Sequence, residues 1–298
     1  MTPSAKVLIT GCGGQLGQAL LAALPPGWEG IVTTRASLDL ADPAACRDAV
    51  LRHRPAWVLN AGAYTAVDRA ESEPELALRV NAGAPEAFAQ ALADTGGRLL
   101  QLSTDFVFNG AQGSPYQPEQ PRDPLGVYGA TKAEGERRAA ALLPPDRLCI
   151  LRTSWVYGPV GHNFCLTMLR LHRQKAAAGD SLAVIADQVG CPTATHPLAE
   201  ACWRVLEHGV SGLHHWSDAG AASWYDFAVA IGELGVRQGL LAQAAAVRPI
   251  GTEDYPTPAK RPSYSLLECR ATRAALDLPP RHWREALVEV LARIPPSP

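Results

Sequence analysis

The sequence predicts an α/β protein built on a doubly wound parallel sheet. Short apolar runs such as KVLIT, AWVLN, RLLQL and LCILR alternate with helical patterns of ten or more residues, and such alternation is typical of βαβ units. A glycine pattern separates the first apolar run from the first helix. Polar side chains follow RLLQL directly. Because ligands of such sheets bind beyond the carboxyl ends of the strands, both features indicate a binding site.

The first run, KVLIT, leads into a glycine loop. Three glycines stand at the spacing GxxGxxG before a helical pattern. Glycine permits a tight turn and close approach of a diphosphate, whose charge the free N–H groups of the helix N-terminus would bind. The same spacing occurs in structural turns, but its position at the first strand–helix junction favours a dinucleotide. The candidate cofactor-binding residues here are Gly11, Gly14, Gln15, Leu16 and Gly17.

The second run, GIVTT, ends without the carboxylate that NAD-selective sites usually offer to the adenosine ribose. Arg35 stands in that region instead, and the first acid is Asp39. Arg35 could pair with a ribose 2′-phosphate, which favours NADPH while leaving NADH as an accepted cofactor; a solvated arginine is the alternative. Asp39 and Leu40 are expected to flank the adenine.

Composition narrows the class of protein. The chain has 298 residues, a formal charge of -2 and no dense Lys/Arg run, so we expect neither a nucleic-acid nor a membrane partner. Seven scattered cysteines without a CxxC pair indicate reduced thiols, and eight histidines without an HExxH pattern give no reason to expect a catalytic metal. The N-terminal apolar run is too short for a signal peptide, so we expect a cytoplasmic protein.

The alternation of strands and helices loosens after about residue 155, where Pro and Gly become frequent, as in GCPTATHP and TEDYPTPAKRP. We therefore predict a dinucleotide-binding domain over residues 1–155, to which a later segment at about 180–205 returns. Residues 156–298 are predicted to form mainly a smaller α/β substrate domain. The segment His214-His215-Trp216 is expected to lie in a strand of this second domain.

Tyr128 and Lys132 stand four residues apart in the helical pattern VYGATKAEGE, so both project from one face. An ammonium group there can lower the pKa of the phenol and let Tyr128 exchange a proton, although on an arbitrary helix such a pair is simply solvated. Ser103, Thr104 and Asp105 follow the run RLLQL. Because adjacent strand residues face opposite ways, only one of the two hydroxyls can face the cofactor.

The order of glycine loop, STD and YxxxK resembles that of the extended short-chain dehydrogenases/reductases. Within them the chain is most similar to the dTDP-4-dehydrorhamnose reductases, through ITGCGGQLGQAL, LNAGAYTAVDRAESEPELALRVNA, STDFVFNG, PLGVYGATKAEGE, LRTSWVYGPVGHNFCLTMLRL, VIADQVGCPTATHP and YPTPAKRPSYSLL. This resemblance implies a Rossmann-like fold and NADPH- or NADH-dependent reduction of the C4 ketone of dTDP-4-dehydro-β-L-rhamnose to dTDP-L-rhamnose, in dTDP-rhamnose biosynthesis.

The resemblance also implies roles for individual residues. Tyr128 would donate a proton to the C4 oxygen, and Lys132 would hold the nicotinamide ribose and tune Tyr128. Thr104, rather than Ser103, would hydrogen-bond the ketone, with Asp105 beside it in the substrate site or in a proton relay. The cofactor would also be lined by Ala61, Gly62, Ala63 and Tyr64.

Substrate residues are expected mainly after residue 154. The resemblance places Trp155 against the sugar and Asn163 and Phe164 near the nucleotide. Arg261 is a candidate for the substrate diphosphate, because a planar guanidinium suits bidentate phosphate contact. Three of the assigned residues have an alternative role: Trp155 could be a core residue, Asp105 a cap for the segment that follows it, and Arg261 one half of a surface ion pair.

Alternative functions stay open at this point. One is a non-catalytic NADP-binding regulatory subunit of a methionine adenosyltransferase; another is a reductase or epimerase of a different nucleotide sugar. Some members of the resembling family hold Mg²⁺ at a dimer interface through glutamates. Ala19 and His196 occupy the matching positions here, so no metal is expected, and both a monomer and a homodimer are compatible with the sequence.

Overall fold

The structure is a computed structural model that describes residues 5–295. Within this range it contains twelve strands and eleven α-helices. The strands are β1 (Ala5–Thr10), β2 (Trp28–Val32), β3 (Trp57–Asn60), β4 (Arg98–Thr104), β5 (Leu148–Thr153), β6 (Val156–Tyr157), β7 (Leu182–Ile185), β8 (Val189–Gly190), β9 (Thr193–Ala194), β10 (Gly212–Trp216), β11 (Ala222–Ser223) and β12 (Val247–Ile250). The helices are α1 (Gln15–Ala22), α2 (Pro43–His53), α3 (Val67–Ala70), α4 (Pro74–Leu78), α5 (Ala84–Thr95), α6 (Val127–Leu142), α7 (Phe164–Ala178), α8 (Thr195–His208), α9 (Trp224–Arg237), α10 (Arg270–Leu276) and α11 (Trp283–Ala292).

Six of the strands form one sheet in the order β2-β1-β3-β4-β5-β10. Every neighbouring pair in this sheet is parallel. The order reverses between β1 and β3, so the connections that leave these two strands diverge and open a crevice at their carboxyl ends. The predicted doubly wound, Rossmann-like parallel sheet is therefore confirmed.

Both faces of this sheet are covered. In β1, Val7 and Ile9 pack into a core formed with α1, α8 and α10, whereas Leu8 packs into a core on the other face with α2, α5 and α6. This alternation follows from the two-residue period of a strand. Burial on both faces explains why the strands appear in the sequence as continuous apolar runs.

A separate hydrophobic core forms after residue 155. It is built by α7, α9 and α11 with β7 and β12, and residues such as Phe227, Ile231 and Leu287 are fully buried in it. By contrast, α8 and α10 pack on the main sheet. We propose on this basis that the segments returning to the dinucleotide-binding unit are 195–216 and 270–278, with 155 kept as the boundary. Residues 1–4 and 296–298 of the two predicted domains lie outside the described residues.

The prediction that His214-His215-Trp216 lies in a strand is confirmed, but its placement in the second domain was wrong. These residues belong to β10, the edge strand of the main sheet, where His214 pairs with Leu151 and Trp216 with Thr153. The pattern of a strand does not reveal its neighbours in space, because sheet partners are separated by long stretches of chain. Elsewhere, all seven cysteines are free and buried, and no helix within 5–295 is long and apolar enough to cross a membrane.

Candidate active site

A cleft runs along the carboxyl ends of the central strands. One part, beside the glycine loop and α6, has a volume of about 710 Å³, and an adjoining part beside the loops after β2 and β3 has a volume of about 330 Å³. The cofactor-binding residues expected from the sequence line one or both parts. The larger is lined by Gly11, Gly14, Gln15, Leu16, Gly17, Arg35, Ala61, Gly62, Ala63, Tyr128 and Lys132, and the smaller also by Asp39, Leu40 and Tyr64.

The glycine loop packs too closely for side chains. A Cβ atom on Gly11 would lie 2.8 Å from the Cα of Gly62, and one on Gly17 would lie 2.2 Å from the carbonyl oxygen of Gly11. Gly11 also has a φ of 70°, which favours glycine. Helix α1 begins directly after this loop, and its N-cap, Gly14, provides no side-chain cap. The first N–H groups of α1 are therefore available to an anion in the cleft.

A buried polar ladder ties the loop to the neighbouring strand ends. Thr10 Oγ1 donates to Asn60 Oδ1 (2.5 Å) and accepts from the Gly62 N–H (3.0 Å). Asn60 Nδ2 in turn donates to Gln101 Oε1 (2.8 Å). Sequence reasoning did not identify this ladder, although its signal, polar residues within apolar strand runs, is present. The ladder holds the ends of β1, β3 and β4 in register where they form the cleft floor.

Arg35 lies at the entrance to both parts of the cleft and is exposed. It has no ion-pair partner within residues 5–295, whereas Arg69 in the same pocket pairs with Glu73 at 2.6 Å. Asp39 is also exposed, and its Oδ1 accepts from the Ala41 N–H (3.0 Å), so this carboxylate shapes its own loop. Arg35 is thus the cation at this end of the cleft whose charge no carboxylate neutralises.

Tyr128 and Lys132 project from the start of α6. Burial raises the pKa of Tyr128 to about 12, against a lowering effect of the Thr104 hydroxyl beside it. Lys132 is 4% exposed, its Nζ donates to the Leu102 carbonyl (2.6 Å), and burial lowers its pKa to about 8. The pKa of the phenol is thus raised by burial, not lowered as expected, and Lys132 is not among the groups that shift it. Tyr128 is protonated at neutral pH.

The helix that carries this pair is anchored by Glu71. Its Oε1 accepts from the Val127 N–H (2.9 Å) at the first turn of α6. A Cβ atom on the N-cap residue, Gly126, would lie 2.6 Å from the same oxygen, so the glycine makes room for the carboxylate. A carboxylate at a helix N-terminus also interacts favourably with the helix dipole. Sequence reasoning missed Glu71, because it lies 56 positions before its partner.

The polar triplet after β4 divides as the strand geometry predicts. Ser103 lines the larger part of the cleft, but its Oγ donates to Glu136 Oε1 (2.5 Å), so its hydroxyl is already engaged. Thr104 Oγ1 donates to Asp105 Oδ1 (3.0 Å) and accepts from the Phe106 N–H (3.2 Å). Because the Thr104 hydroxyl also hydrogen-bonds the Tyr128 phenol, it is the one of the two hydroxyls that lies beside Tyr128.

Asp105 is almost fully buried, at 2% exposure. Burial raises its pKa to about 6, while hydrogen bonding from Ser265 and Thr104 lowers it. Its Oδ2 has no hydrogen-bond partner within 3.5 Å in the part of the chain described. Capping is performed by the Thr104 hydroxyl rather than by Asp105. Among the described residues, one oxygen of the Asp105 carboxyl group, Oδ2, is therefore free to accept a hydrogen bond beside Thr104 and Tyr128.

Trp155 is held in an unusual conformation. Its φ is 47°, which is uncommon for a bulky residue and costs free energy. The indole stacks on Trp224, with ring centroids 3.5 Å apart and planes 4° apart. On Gly190 a Cβ atom would lie 2.7 Å from the indole of Trp155. The surrounding residues thus fix this ring tightly, and it connects the main sheet to the second core.

Asn163 and Phe164 have structural partners at the start of α7. Asn163 is the N-cap, whose Oδ1 accepts from the Leu166 N–H (3.0 Å), and its Nδ2 donates to Gln15 Oε1 (3.1 Å). Phe164 packs against Trp224, with ring centroids 4.7 Å apart. Their contact with the nucleotide stays a prediction. The bond to Gln15 places α7 against the glycine loop.

Arg261 forms an ion pair with Asp68, from Nη2 to Oδ2 at 2.8 Å. The guanidinium is 24% exposed, and the carboxylate is 39% exposed. The alternative that sequence reasoning left open, an ion pair, is therefore what the structure contains. A diphosphate contact would require Arg261 to exchange or share this partner, and it stays a prediction.

Comparisons with known proteins agree with this geometry. Residues 5–295 match the family model described as RmlD substrate binding domain. The chain is 41% identical over 296 residues to a dTDP-4-dehydrorhamnose reductase of Streptomyces griseus, an alignment that covers 96% of this chain and 93% of the relative. The chain belongs to the dTDP-4-dehydrorhamnose reductase family. The predicted family is thus confirmed.

Two further relatives bear on cofactor and substrate. A structure of dTDP-4-dehydrorhamnose reductase from Bacillus anthracis in complex with NADP superposes with a TM-score of 0.89 at 32% identity, covering 96% of this chain and 98% of that one. A dTDP-4-keto-6-deoxy-D-glucose reductase of Streptomyces niveus is 38% identical over 283 residues, covering 95% of each chain. The dTDP-4-dehydrorhamnose reductase family and its near relatives therefore include reductases named for more than one nucleotide sugar.

In this member of the dTDP-4-dehydrorhamnose reductase family, Ala19 lies on α1 and His196 on α8. Burial lowers the pKa of His196, so its imidazole is neutral at physiological pH. Within residues 5–295, no group of three or more His, Cys, Asp or Glu side chains is arranged to hold a metal ion.

Proposed function

We propose that the protein is an NADPH-dependent reductase of the C4 ketone of dTDP-4-dehydro-β-L-rhamnose, giving dTDP-L-rhamnose. The observation that carries this proposal is the meeting of the glycine loop, Thr104, Tyr128 and Lys132 at one edge of the sheet, in a chain 41% identical to a dTDP-4-dehydrorhamnose reductase. A nucleotide-linked sugar is the substrate class, and both a monomer and a homodimer fit this function.

The cleft fits a dinucleotide. Gly11, Gly17 and Gly62 allow the loop to pack closely against neighbouring backbone and side-chain atoms, and the first residues of α1 line the cleft where a diphosphate would bind. In the proposed arrangement, Arg35 binds the ribose 2′-phosphate of NADPH and Lys132 the nicotinamide ribose. NADPH supplies the hydride to the ketone carbon.

The chain's own groups handle the proton. Tyr128, protonated because burial raises its pKa to about 12, donates its proton to the C4 oxygen as that oxygen gains charge. The ketone thereby becomes an alcohol, and the phenolate left on Tyr128 regains a proton from solvent before the next turnover. Thr104 hydrogen-bonds the same oxygen once its single hydroxyl proton turns from Asp105 Oδ1, its present acceptor, to the substrate.

The remaining predicted residues complete the substrate site in this proposal. Trp155 presents a fixed indole to the sugar, and Asn163, Phe164 and Arg261 lie towards the nucleotide. Support for Trp155 comes from its strained backbone, since such strain is concentrated at functional sites. Support for Arg261 is weaker, because Asp68 already pairs with it.

Arg35 provides a test of cofactor choice. The Arg35→Ala change should raise the KM for NADPH about tenfold and leave the KM for NADH nearly unchanged, because only NADPH carries the 2′-phosphate. Initial rates of cofactor oxidation measure both constants. Arg47→Ala, at an exposed arginine paired with Asp94, is the matched control. Equal changes for the two cofactors would contradict the assignment of Arg35.

A second candidate function is reduction of a sister nucleotide sugar, favoured by the relative named dTDP-4-keto-6-deoxy-D-glucose reductase. Oxidation of NADPH and NADH with enzymatically generated dTDP-4-dehydrorhamnose, compared with dTDP-4-keto-6-deoxyglucose alone, separates the two. We expect oxidation only with the former. Oxidation with neither sugar would contradict a reductase function.

Two other functions are less well supported. A regulatory NADP-binding subunit would not need Thr104, Tyr128 and Lys132 together at one edge of the cleft. An epimerase must retain its cofactor through both half-reactions, so purified protein carrying stoichiometric NAD would favour that function. We expect purified protein to consume one NADPH per ketone instead.

A further inference from the structure

A buried ionic cluster lies one helical turn beyond Lys132. Its centre is the carboxylate of Glu136, whose side chain is 0% exposed. Arg152 on β5 binds it with two parallel hydrogen bonds, from Nε to Oε1 (2.9 Å) and from Nη2 to Oε2 (2.7 Å). Arg152 is itself 2% exposed. Such a bidentate pair fixes distance and orientation, here between α6 and the end of β5.

Further groups from three other elements face this cluster. Ser103 on β4 donates to Glu136 Oε1 (2.5 Å), and Arg122, from the segment before α6, donates to Oε2 (3.3 Å). The His215 Nε2 on β10 lies 3.3 Å from Arg152 Nη1. Burial and the adjacent Arg152 lower the pKa of His215 to about 3, so the imidazole is neutral. Among residues 5–295, Glu136 is thus the single carboxylate that pairs with Arg122 and Arg152.

The charge balance makes Lys132 depend on Glu136. Burial lowers the pKa of Lys132 to about 8, and the charge of Glu136 opposes that effect. Without the Glu136 carboxylate, the positive charges of Arg122 and Arg152 would remain near buried Lys132 with no negative charge to balance them. A guanidinium does not release its proton in proteins, so Lys132 would be the group that becomes neutral. On the cleft side, the titratable groups near Lys132 are Tyr128 on the same helix, Asp105 after β4, and Glu71 at the first turn of α6.

The cluster also sets the direction of the two hydroxyls after β4. Strand alternation makes Ser103 and Thr104 face opposite ways, and the bond from Ser103 to Glu136 holds the strand end in the position that sets Thr104 beside the Tyr128 phenol. Glu136 and Tyr128 lie on the same helix, two turns apart, so one rigid element carries both. The position of Thr104 relative to Tyr128 therefore depends on a contact outside the cleft.

We propose that Glu136 is a positioning residue of the reductase, which keeps Lys132 charged and aligns Thr104 with Tyr128. This inference rests on the proposed function. Glu136 does not touch cofactor or substrate in it; the residue acts through Lys132 on one side and through Ser103 on the other. Arg152 gives this buried carboxylate a bidentate charge partner.

The test is the Glu136→Gln variant, which keeps the shape of the side chain and removes its charge. We expect the alkaline limb of the profile of kcat/KM for NADPH against pH to move about one unit lower, because Lys132 then loses its proton earlier. Activity at pH 9 should fall about fivefold more than activity at pH 7, because a pKa that moves from about 8 to about 7 lowers the charged fraction of Lys132 roughly ninefold at pH 9 and roughly twofold at pH 7. The alkaline limb of NADPH binding, followed by fluorescence across the same pH range, should move lower in parallel.

Two variants serve as controls. Glu134→Gln removes a carboxylate from the same helix, where Glu134 pairs with Arg137 and Arg138 at the surface, and it should leave the limb in place. Glu136→Asp keeps the charge and should restore the limb even if thermal stability stays lowered. If Glu136→Gln does not fold, Glu136→Gln/Arg152→Met leaves no buried arginine unpaired, and it should show a smaller downward shift.

The outcomes separate a positioning role from a purely structural one. An unchanged alkaline limb in a folded Gln or double variant, together with a lowered Tm, would overturn the inference and leave Glu136 as a structural residue. A wild-type protein that oxidises no NADPH with either sugar would instead contradict the proposed function. In that case the alkaline limb of the pH profile of NADPH binding still reports on the charge of Lys132 and tests its dependence on Glu136.

Discussion

Replacing Tyr128 by phenylalanine should lower kcat by about 10³-fold or more and leave NADPH binding unchanged. The change removes only the phenol oxygen and its proton. The ring keeps its edge contact with Phe106, with centroids 5.6 Å apart and planes at 74°. With no group positioned to protonate the C4 oxygen, hydride transfer would leave an unstabilised alkoxide. Turnover of NADPH with dTDP-4-dehydrorhamnose and fluorescence titration of NADPH measure the two effects separately.

The matched control for this variant is Tyr116→Phe. Tyr116 is also buried, stacks on Phe108 with ring centroids 4.2 Å apart, and donates its hydroxyl to Asn109 Oδ1 (3.1 Å). It does not line the cleft. Losing its hydroxyl should affect stability slightly and turnover very little. If Tyr128→Phe retained turnover comparable to that of the control, Tyr128 would have no part in proton transfer.

Replacing Thr104 by valine should lower kcat about 10²-fold and change the Kd for NADPH much less. Valine matches threonine in shape but cannot donate a hydrogen bond, so the ketone oxygen would lose one of its two partners in the transition state. The side chain's present bonds to Asp105 and the Phe106 N–H would also be lost. Pre-steady-state measurement of hydride transfer distinguishes a chemical defect from slower product release.

Two further variants identify which hydroxyl acts. Thr104→Ser keeps the hydroxyl and should recover most of the lost rate. Ser103→Ala removes the hydroxyl that donates to Glu136 and should lower the rate less than Thr104→Val does. A larger loss of kcat in Ser103→Ala than in Thr104→Val would reverse the assignment of the two residues.

The local features of the fold were predictable because they depend on neighbours in sequence. Alternating apolar runs and helical patterns predict the parallel sheet, since strands buried on both faces must be apolar. The spacing of Gly11, Gly14 and Gly17 predicts the loop, because backbone contacts as close as that of Gly17 to the Gly11 carbonyl exclude every side chain. The choice of Thr104 over Ser103 follows from resemblance and from alternation, and the hydrogen bonds of both residues are consistent with it.

The features that were missed depend on residues distant in the chain. The partner of Arg261 is Asp68, 193 positions away, and Asn163 reaches Gln15 over 148 positions. No pattern in the sequence specifies such pairs. The position of β10 beside β5 likewise depends on which edge of the sheet the other strands leave unpaired.

The sequence alone determined the sheet, the glycine loop, the order of chemical groups along the cleft and the family. Tertiary structure decided the electrostatics of those groups. Whether Lys132 lowers the pKa of Tyr128 depends on how deeply both are buried, and burial raises the pKa of the phenol to about 12. Whether Lys132 stays charged depends on Glu136, whose own partner Arg152 lies 16 positions away on another element. Desolvation and long-range charge are properties of the packed interior, so a linear pattern of residues cannot specify them.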